Sequence, residues 1–274
     1  MSDANFGFSK FSDNDFYSNV NKELIDSLDI QSNLKIVDLG CGSGGISKII
    51  IEKLNEINSV NSSIIAVDFS DISLKEAKAN LKSVSDSMIT FVQSRYEEFS
   101  SKIKDKVDLV VLCNAIHYLD DKELVIKDVM KILKPGGRFA FNSSFFDGAH
   151  PEHTLGFYRK WMFKSMRILS KEYNTRPVKA EKIESRIQLN PNQYKKVLEN
   201  CGMKIMNTKI REVNVPIDGW MDISGFKDFI EGIMPGVNLD IASESLQKAV
   251  KDTFKEMKLN FVQRNWMEIV ATKA

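Results

Sequence analysis

At 274 residues, 43% of them hydrophobic and 27% charged, the chain is long enough to bury one large core or one core with an accessory lobe. Its formal net charge of +1, without any long basic run, gives no electrostatic footprint for a polyanion, so nucleic acid is not an expected partner. Cys41, Cys113 and Cys201 are odd in number, far apart and without a C-x-x-C pair, which indicates a reducing compartment and neither a disulfide framework nor a zinc site.

Residues 1–12 are polar and read as frayed, with no apolar leader segment, and no window approaches 18 consecutive apolar residues. A cytoplasmic protein with no membrane association is the expectation. Residues 14–29 show helical spacing through Phe16, Val20, Leu24 and Leu28, and Tyr17 lies on this helix.

Next comes the most informative stretch, Val-Asp-Leu-Gly-Cys-Gly-Ser-Gly-Gly at residues 37–45. An apolar strand over 34–39 ends in four glycines packed into six positions, and a helix follows over 46–57. Glycine accepts positive φ and carries no Cβ, so such a turn lets a ligand approach the main chain at a helix N-terminus. Two patterns fit: Gly40, Gly42 and Gly45 make the dinucleotide pattern G-x-G-x-x-G, whereas Gly40, Gly42 and Gly44 make the tighter G-x-G-x-G.

A second strand over 63–68 ends in Asp68, where a carboxylate can accept two hydrogen bonds from a ribose diol. Ser70 or Asp71 can cap the helix expected over 71–84, which leaves Asp68 free for that work. Strands over 88–93 and 107–112 follow, then a helix over 121–133 with Asp120 and Asp121 at its start, then a strand over 138–143. Strands alternating with helices predict a doubly wound, mostly parallel sheet whose ligand lies at the carboxyl ends of the strands.

The pattern changes after Asn142. Two helical stretches rich in large apolar groups, 144–190 and 216–258, read as insertions that form a substrate lid over a single domain spanning 1–274. The first holds His150, His153, Phe157 and Trp161 in an amphipathic helix around 152–171, and the second holds Trp220. Between them Asn190 caps a helix that begins at Pro191, and a strand over 203–213 follows. Such aromatic content suits a closed, mostly dry pocket for a small hydrophobic acceptor.

In order and spacing, the glycine motif, the acid of strand 2, the segment Asp108-Leu-Val-Val-Leu-Cys-Asn114 and the turn Leu133-Lys-Pro-Gly-Gly-Arg138 resemble the class I S-adenosylmethionine-dependent methyltransferases of the small-molecule kind. The resemblance spans roughly residues 34–143 and implies a seven-stranded Rossmann-like sheet with an antiparallel last strand over 260–272. It places Asp38 and Gly40 near the methionine end of S-adenosyl-L-methionine, with Gly42 and Gly44 giving the sulfonium arm room to pass. Asp68 would hold the ribose, Phe69 would cover the adenine, Asn114 would offer its carbonyl to the ammonium, and Tyr17 would face the cofactor from the N-terminal cap helix. One position departs from the family: Arg95 stands where many relatives carry an acid that accepts from the adenine amino group. An arginine has only donors, which leaves adenine recognition around Ser94, Arg95 and Tyr96 to backbone groups.

Methyl transfer from a sulfonium expels a neutral leaving group, so alignment and exclusion of water supply most of the acceleration, and a general base serves the acceptor. His117, three residues beyond Asn114, is the candidate base, with His150 and His153 at the entry to the lid. No compact set of metal ligands is present. Two rival functions fit parts of the sequence. An NAD-dependent oxidoreductase would use Gly40, Gly42 and Gly45 and the pair Tyr118-x-x-x-Lys122, but the glycine spacing that accompanies such a pair needs a glycine at Ile46. A non-catalytic S-adenosylmethionine-binding protein has Arg95 as its support. Neither the oligomeric state nor the atom methylated is legible.

Overall fold

The computed structural model describes residues 6–178 and 188–274. Residues 1–5 of the stretch expected to fray, and residues 179–187 of the 144–190 insertion, lie outside the described residues.

In chain order, α1 (Ser9–Ser12) and α2 (Asp15–Asp26) precede β1 (Lys35–Leu39), α3 (Gly45–Glu56), β2 (Ser63–Asp68), α4 (Asp71–Asn80) and β3 (Ile89–Gln93). There follow α5 (Phe99–Lys102), β4 (Val107–Cys113), α6 (Lys122–Ile132), β5 (Leu133–Ser143), α7 (Leu155–Glu172) and α8 (Pro191–Asn200). The chain ends in β6 (Met203–Pro216), α9 (Ile217–Ile223), α10 (Lys227–Ile233), α11 (Leu239–Met257) and β7 (Phe261–Lys273).

The seven strands among the described residues form one sheet in the order β3-β2-β1-β4-β5-β7-β6. β1 pairs in parallel with both β2 and β4, β2 with β3 and β4 with β5, while β7 runs antiparallel to β5. This is the Rossmann-like methyltransferase arrangement. The strand order reverses between β1 and β4, and the crevice outside their carboxyl ends is where an open α/β sheet binds its ligand. Central strands covered on both faces need continuous apolar runs, and they have them: Ile36, Val37 and Leu39 in β1 and Leu109 to Leu112 in β4 are fully buried.

By its own packing the described chain falls into two compact units. One comprises 18–149, 188–211 and 266–274 and holds most of the sheet. Its helix starts obey the local chemistry read from sequence. Asn190 and Gln193 exchange a reciprocal capping box around Pro191, Asp121 accepts from Leu124 N, and Ser70 accepts from Ser73 N.

The other unit comprises 6–17, 150–178 and 212–265 and is built on α1, α7, α9, α10 and α11. Aromatic rings fill its centre. Phe157 lies 5.7 Å from Trp161, 5.3 Å from Trp220 and 5.5 Å from Phe254 between ring centroids.

Three expectations need correction. The chain start is not wholly frayed: Ser9–Ser12 make a helical turn, and the buried Phe11 packs with Phe8 and Tyr17, an aromatic payload that outweighs the polar composition around it. The helix expected over 71–84 stops at Asn80, where Leu81 N closes on Ala77 O and Val84 N then turns back to Leu81 O. β5 begins at Leu133 and not at 138, because Leu133 pairs with Val107 before a bulge and Arg138 resumes the ladder opposite Leu109.

Candidate active site

Leu39 ends β1, and the next residues turn sharply over the end of β2. Gly40 N and Cys41 N both donate to Val67 O, at 2.7 and 2.9 Å, and Gly42 N donates to Asp68 Oδ2 at 2.9 Å. The turn is left-handed at Gly40, Gly42 and Gly44 (φ +75°, +52° and +90°), whereas Gly45 has ordinary helical backbone as the first residue of α3. Of the two patterns, the backbone therefore uses G-x-G-x-G. Because three of its N–H groups are spent on Val67 and Asp68, the turn offers a ligand close approach more than free donors. A Cβ at Gly42 would meet nothing within 4 Å, while one at Gly40 would stand 2.6 Å from the Tyr96 hydroxyl.

Asp68 is buried and not idle. Its Oδ1 accepts from Ser70 N at 2.9 Å and its Oδ2 from Gly42 N, which leaves each oxygen one further lone pair. That is the capacity a ribose diol requires. β3 brings Ser94 beside this strand end, with Ser94 N on Asp68 O at 2.9 Å. Burial first, then the negative charge of Asp68, raises the Tyr96 phenol well above its ordinary value, so it stays a neutral donor. Two neighbours stand apart: Phe69 is 63% exposed, and Arg95 turns to solvent, 3.6 Å from Glu97.

Asp38 and Asn114 flank the switch point from β1 and the end of β4. Asp38 is wholly buried; its Oδ2 accepts from Ser47 Oγ at 2.6 Å and its Oδ1 has no partner among the described residues. Asn114 holds a left-handed φ of +49°, and its Nδ2 is likewise buried without a partner. A network fixes that conformation. Asn114 N donates to Asn142 Oδ1 at 2.9 Å, Asn114 Oδ1 accepts from Ser144 N and Oγ, and Asn142 Nδ2 donates to Asn21 Oδ1 at 2.8 Å. Sequence reasoning missed Ser47, Asn21, Asn142 and Ser144. An amide at the end of the buried run Phe139-Ala-Phe-Asn142 was the available signal, since a buried side-chain amide needs partners.

Burial pushes the Asp38 carboxyl up to about 7 against the Ser47 hydrogen bond, with the charge of Asp68 adding to the rise. The unfolded chain releases this proton near 3.8, so between that value and about 7 the folded state binds more protons. Stability of the ligand-free protein is expected to fall as pH rises across that window and to level off above it. Thermal melts at about pH 5 and about pH 8 test this, because Asp38→Asn removes the slope if the assignment holds.

His117 sits on a 3-10 turn, Ile116–Tyr118, directly beyond Asn114. Its Nδ1 is 3.1 Å from Ser143 Oγ, and its ring lies 4.1 Å from that of Tyr118 and 4.7 Å from that of Phe145. Lys122 Nζ donates to Leu119 O, and its ammonium is lowered by burial.

The remaining candidates belong to the helical unit. Tyr17 is buried with its ring 5.6 Å from those of Phe8 and Phe11. His150 Nε2 is 3.0 Å from Arg264 Nη1, and partial burial and that guanidinium push the imidazole down to about 4, so it is neutral and accepts. Arg264 also reaches the Tyr158 hydroxyl at 3.3 Å and lies over the Trp220 ring. His153 is exposed. Phe157, Trp161 and Trp220 occupy the unit's core, and both indole N–H groups are given to main-chain carbonyls, of Leu246 and Val215. Truncating Trp161 to Ala is expected to cost about 3–5 kcal/mol in a denaturant melt, the size of a lost core aromatic.

A reversed last strand on a doubly wound sheet, a left-handed glycine turn and an acid at the tip of strand 2 define a class I methyltransferase domain of the S-adenosylmethionine-dependent type. The sequence profile described as "Methyltransferase domain" matches residues 30–209, more than half of the chain, and the chain belongs to that family. Demethylmenaquinone methyltransferase of Lactococcus lactis is 30% identical over 129 residues, covering 47% of this chain and 47% of that protein. Ubiquinone biosynthesis O-methyltransferase of Idiomarina loihiensis is 25% identical over 142 residues, covering 49% and 55%. The chain thus spans about half the length of these two curated relatives. Among solved structures, phosphoethanolamine N-methyltransferase 2 of Haemonchus contortus in complex with S-adenosyl-L-methionine gives a TM-score of 0.58 at 16% identity, covering 99% of this chain and 57% of that one. At that identity the likeness is one of fold. No described helix is long and apolar enough to cross a membrane.

Proposed function

We propose that this chain transfers a methyl group from S-adenosylmethionine to a small, mostly apolar acceptor. The observation that carries the reading is a pair of buried, unpartnered polar atoms at the switch point, Asp38 Oδ1 and Asn114 Nδ2. They are an acceptor and a donor of the kind that an ammonium and a carboxylate on one ligand would complete, and the methionine end of the cofactor carries both. Asp68 would hold the ribose, the turn at Gly40, Gly42 and Gly44 would pass the linking arm, and Ser94 and Tyr96 would border the base.

When bound, the cofactor supplies an electrophilic methyl on a sulfonium. The protein's share is alignment, exclusion of water and custody of the acceptor's proton. His117 would take the last of these, with Ser143 Oγ, 3.1 Å from its Nδ1, as the group that would orient it. His117→Ala should lower kcat by about 10²–10⁴ while leaving cofactor affinity unchanged. Parallel losses in both would assign the residue to binding instead.

An apolar acceptor is supported by the two relatives, whose names give demethylmenaquinone and ubiquinone biosynthesis, while the large rings of the helical unit are spent on its own core. Phe157, Trp161 and Trp220 would act by shaping that unit. A labelled-methyl screen tests this choice: transfer confined to free amino acids or sugars would overturn it. The reading as a binding protein without turnover loses its support, since the Arg95 side chain is exposed and paired with Glu97.

A further inference from the structure

α7 has two faces of different chemistry. Phe157, Trp161, Ser165 and Leu169 form its buried row, and half a helical turn away Phe163 stands 68% exposed at the middle of the opposite face. Around Phe163 that outer face carries Leu155, Arg159, Lys160, Lys164, Arg167 and Lys171, over about 24 Å of helix at 1.5 Å per residue.

The charge on this helix is one-sided. α7 contains five basic residues and a single acid, Glu172, in a chain whose net charge is +1. Glu256 engages Lys160 and Lys164 and so offsets part of this charge, Glu172 is held by Lys248, and Arg159, Arg167 and Lys171 are the cations of the face that no acid engages among the described residues.

We propose that this face of α7 docks the protein on an anionic lipid bilayer, with Arg159, Arg167 and Lys171 on the headgroups and Phe163 inserted among them. The charge complementarity is direct: guanidinium and ammonium groups near a negatively charged leaflet each add attraction, and one exposed aromatic adds an apolar anchor. A nucleic acid would engage the same cations but leave Phe163 without a function, which favours the bilayer. Docking of this kind is peripheral and needs no crossing helix. It holds whatever the acceptor.

The test is sedimentation of the full chain with vesicles of phosphatidylcholine alone and of phosphatidylcholine mixed with phosphatidylglycerol. Binding to the mixed vesicles only is expected, weakening as salt is raised. Arg159→Glu with Arg167→Glu should cut the partition at least about tenfold, and Phe163→Ser should lower it while keeping its salt dependence. Lys82→Glu with Lys104→Glu, elsewhere on the chain, should leave it unchanged. Circular dichroism and S-adenosylmethionine titration confirm that each variant is folded. Equal partition of the wild type and the Arg159/Arg167 variant, equal binding to uncharged vesicles, or binding to duplex DNA without binding to vesicles would each overturn the proposal.

Discussion

Asp68→Ala should remove detectable binding of S-adenosylmethionine and of its demethylated product in a calorimetric titration. Two effects combine at this one side chain. A carboxylate that accepts from a diol contributes about 1.5–3 kcal/mol per hydrogen bond to a charged group, so two such bonds amount to a factor of at least about 10² in affinity. Asp68 also accepts from Gly42 N and Ser70 N, and its loss leaves both main-chain donors without their acceptor at the site where the glycine turn meets β2. Asp68→Asn separates the two contributions. Its amide oxygen can keep one of the N–H bonds, so it should melt closer to the wild type than the alanine variant does while still binding the cofactor poorly. If Asp68→Ala bound the cofactor as the wild type does, the ribose assignment would fail, and with it the registration of the ligand along the sheet.

The parts of the fold that were legible from sequence are those where local chemistry and global topology agree. An apolar run, then glycines, then an amphipathic helix can be little other than a strand-turn-helix, and Asn190, Pro191 and Gln193 spell out a helix start by themselves. The glycine loop alone left two patterns open and the resemblance chose Gly40, Gly42 and Gly44; the loop could not choose by itself because positive φ there depends on Val67 O and Asp68 Oδ2 of another strand. The Asn114, Asn142 and Asn21 network was hidden for the same reason: its members are separated by 28 and 121 positions in the chain. Composition also could not say whether an aromatic lines a pocket or fills a core. Phe157, Trp161 and Trp220 come from distant segments that make a compact unit of their own, and a unit with its own core claims its largest rings first.

Arg95 shows the converse. Read as a substitution inside a binding motif, it suggested altered adenine recognition. Its side chain is 74% exposed, so the motif position is filled by a solvated group while Ser94 and Tyr96 on either side turn inward. A missing acid there removes one acceptor without adding a buried cation.

Glycine-to-alanine changes along the turn should separate stability from affinity. At Gly42 an added Cβ meets nothing within 4 Å, so Gly42→Ala should cost only the left-handed backbone strain, about 1–2 kcal/mol in a denaturant melt. At Gly44 the same change brings Cβ to 3.0 Å from Leu81 Cδ1 and 3.3 Å from Ala77 Cβ, and at Gly40 to 2.6 Å from Tyr96 Oη. Both should lose more stability than Gly42→Ala, with overpacking adding about 1–3 kcal/mol to the strain. Cofactor affinity should order differently. The open space over Gly42 is the room the cofactor's arm would occupy, so a methyl group there competes with the ligand and not with the protein. Gly42→Ala should therefore be the most stable of the three variants and still lose at least about tenfold in S-adenosylmethionine affinity, the consequence of about 1.4 kcal/mol of steric conflict. Wild-type affinity in a folded Gly42→Ala protein would mean that nothing passes over this glycine, and the cofactor would have to lie elsewhere along the strand ends.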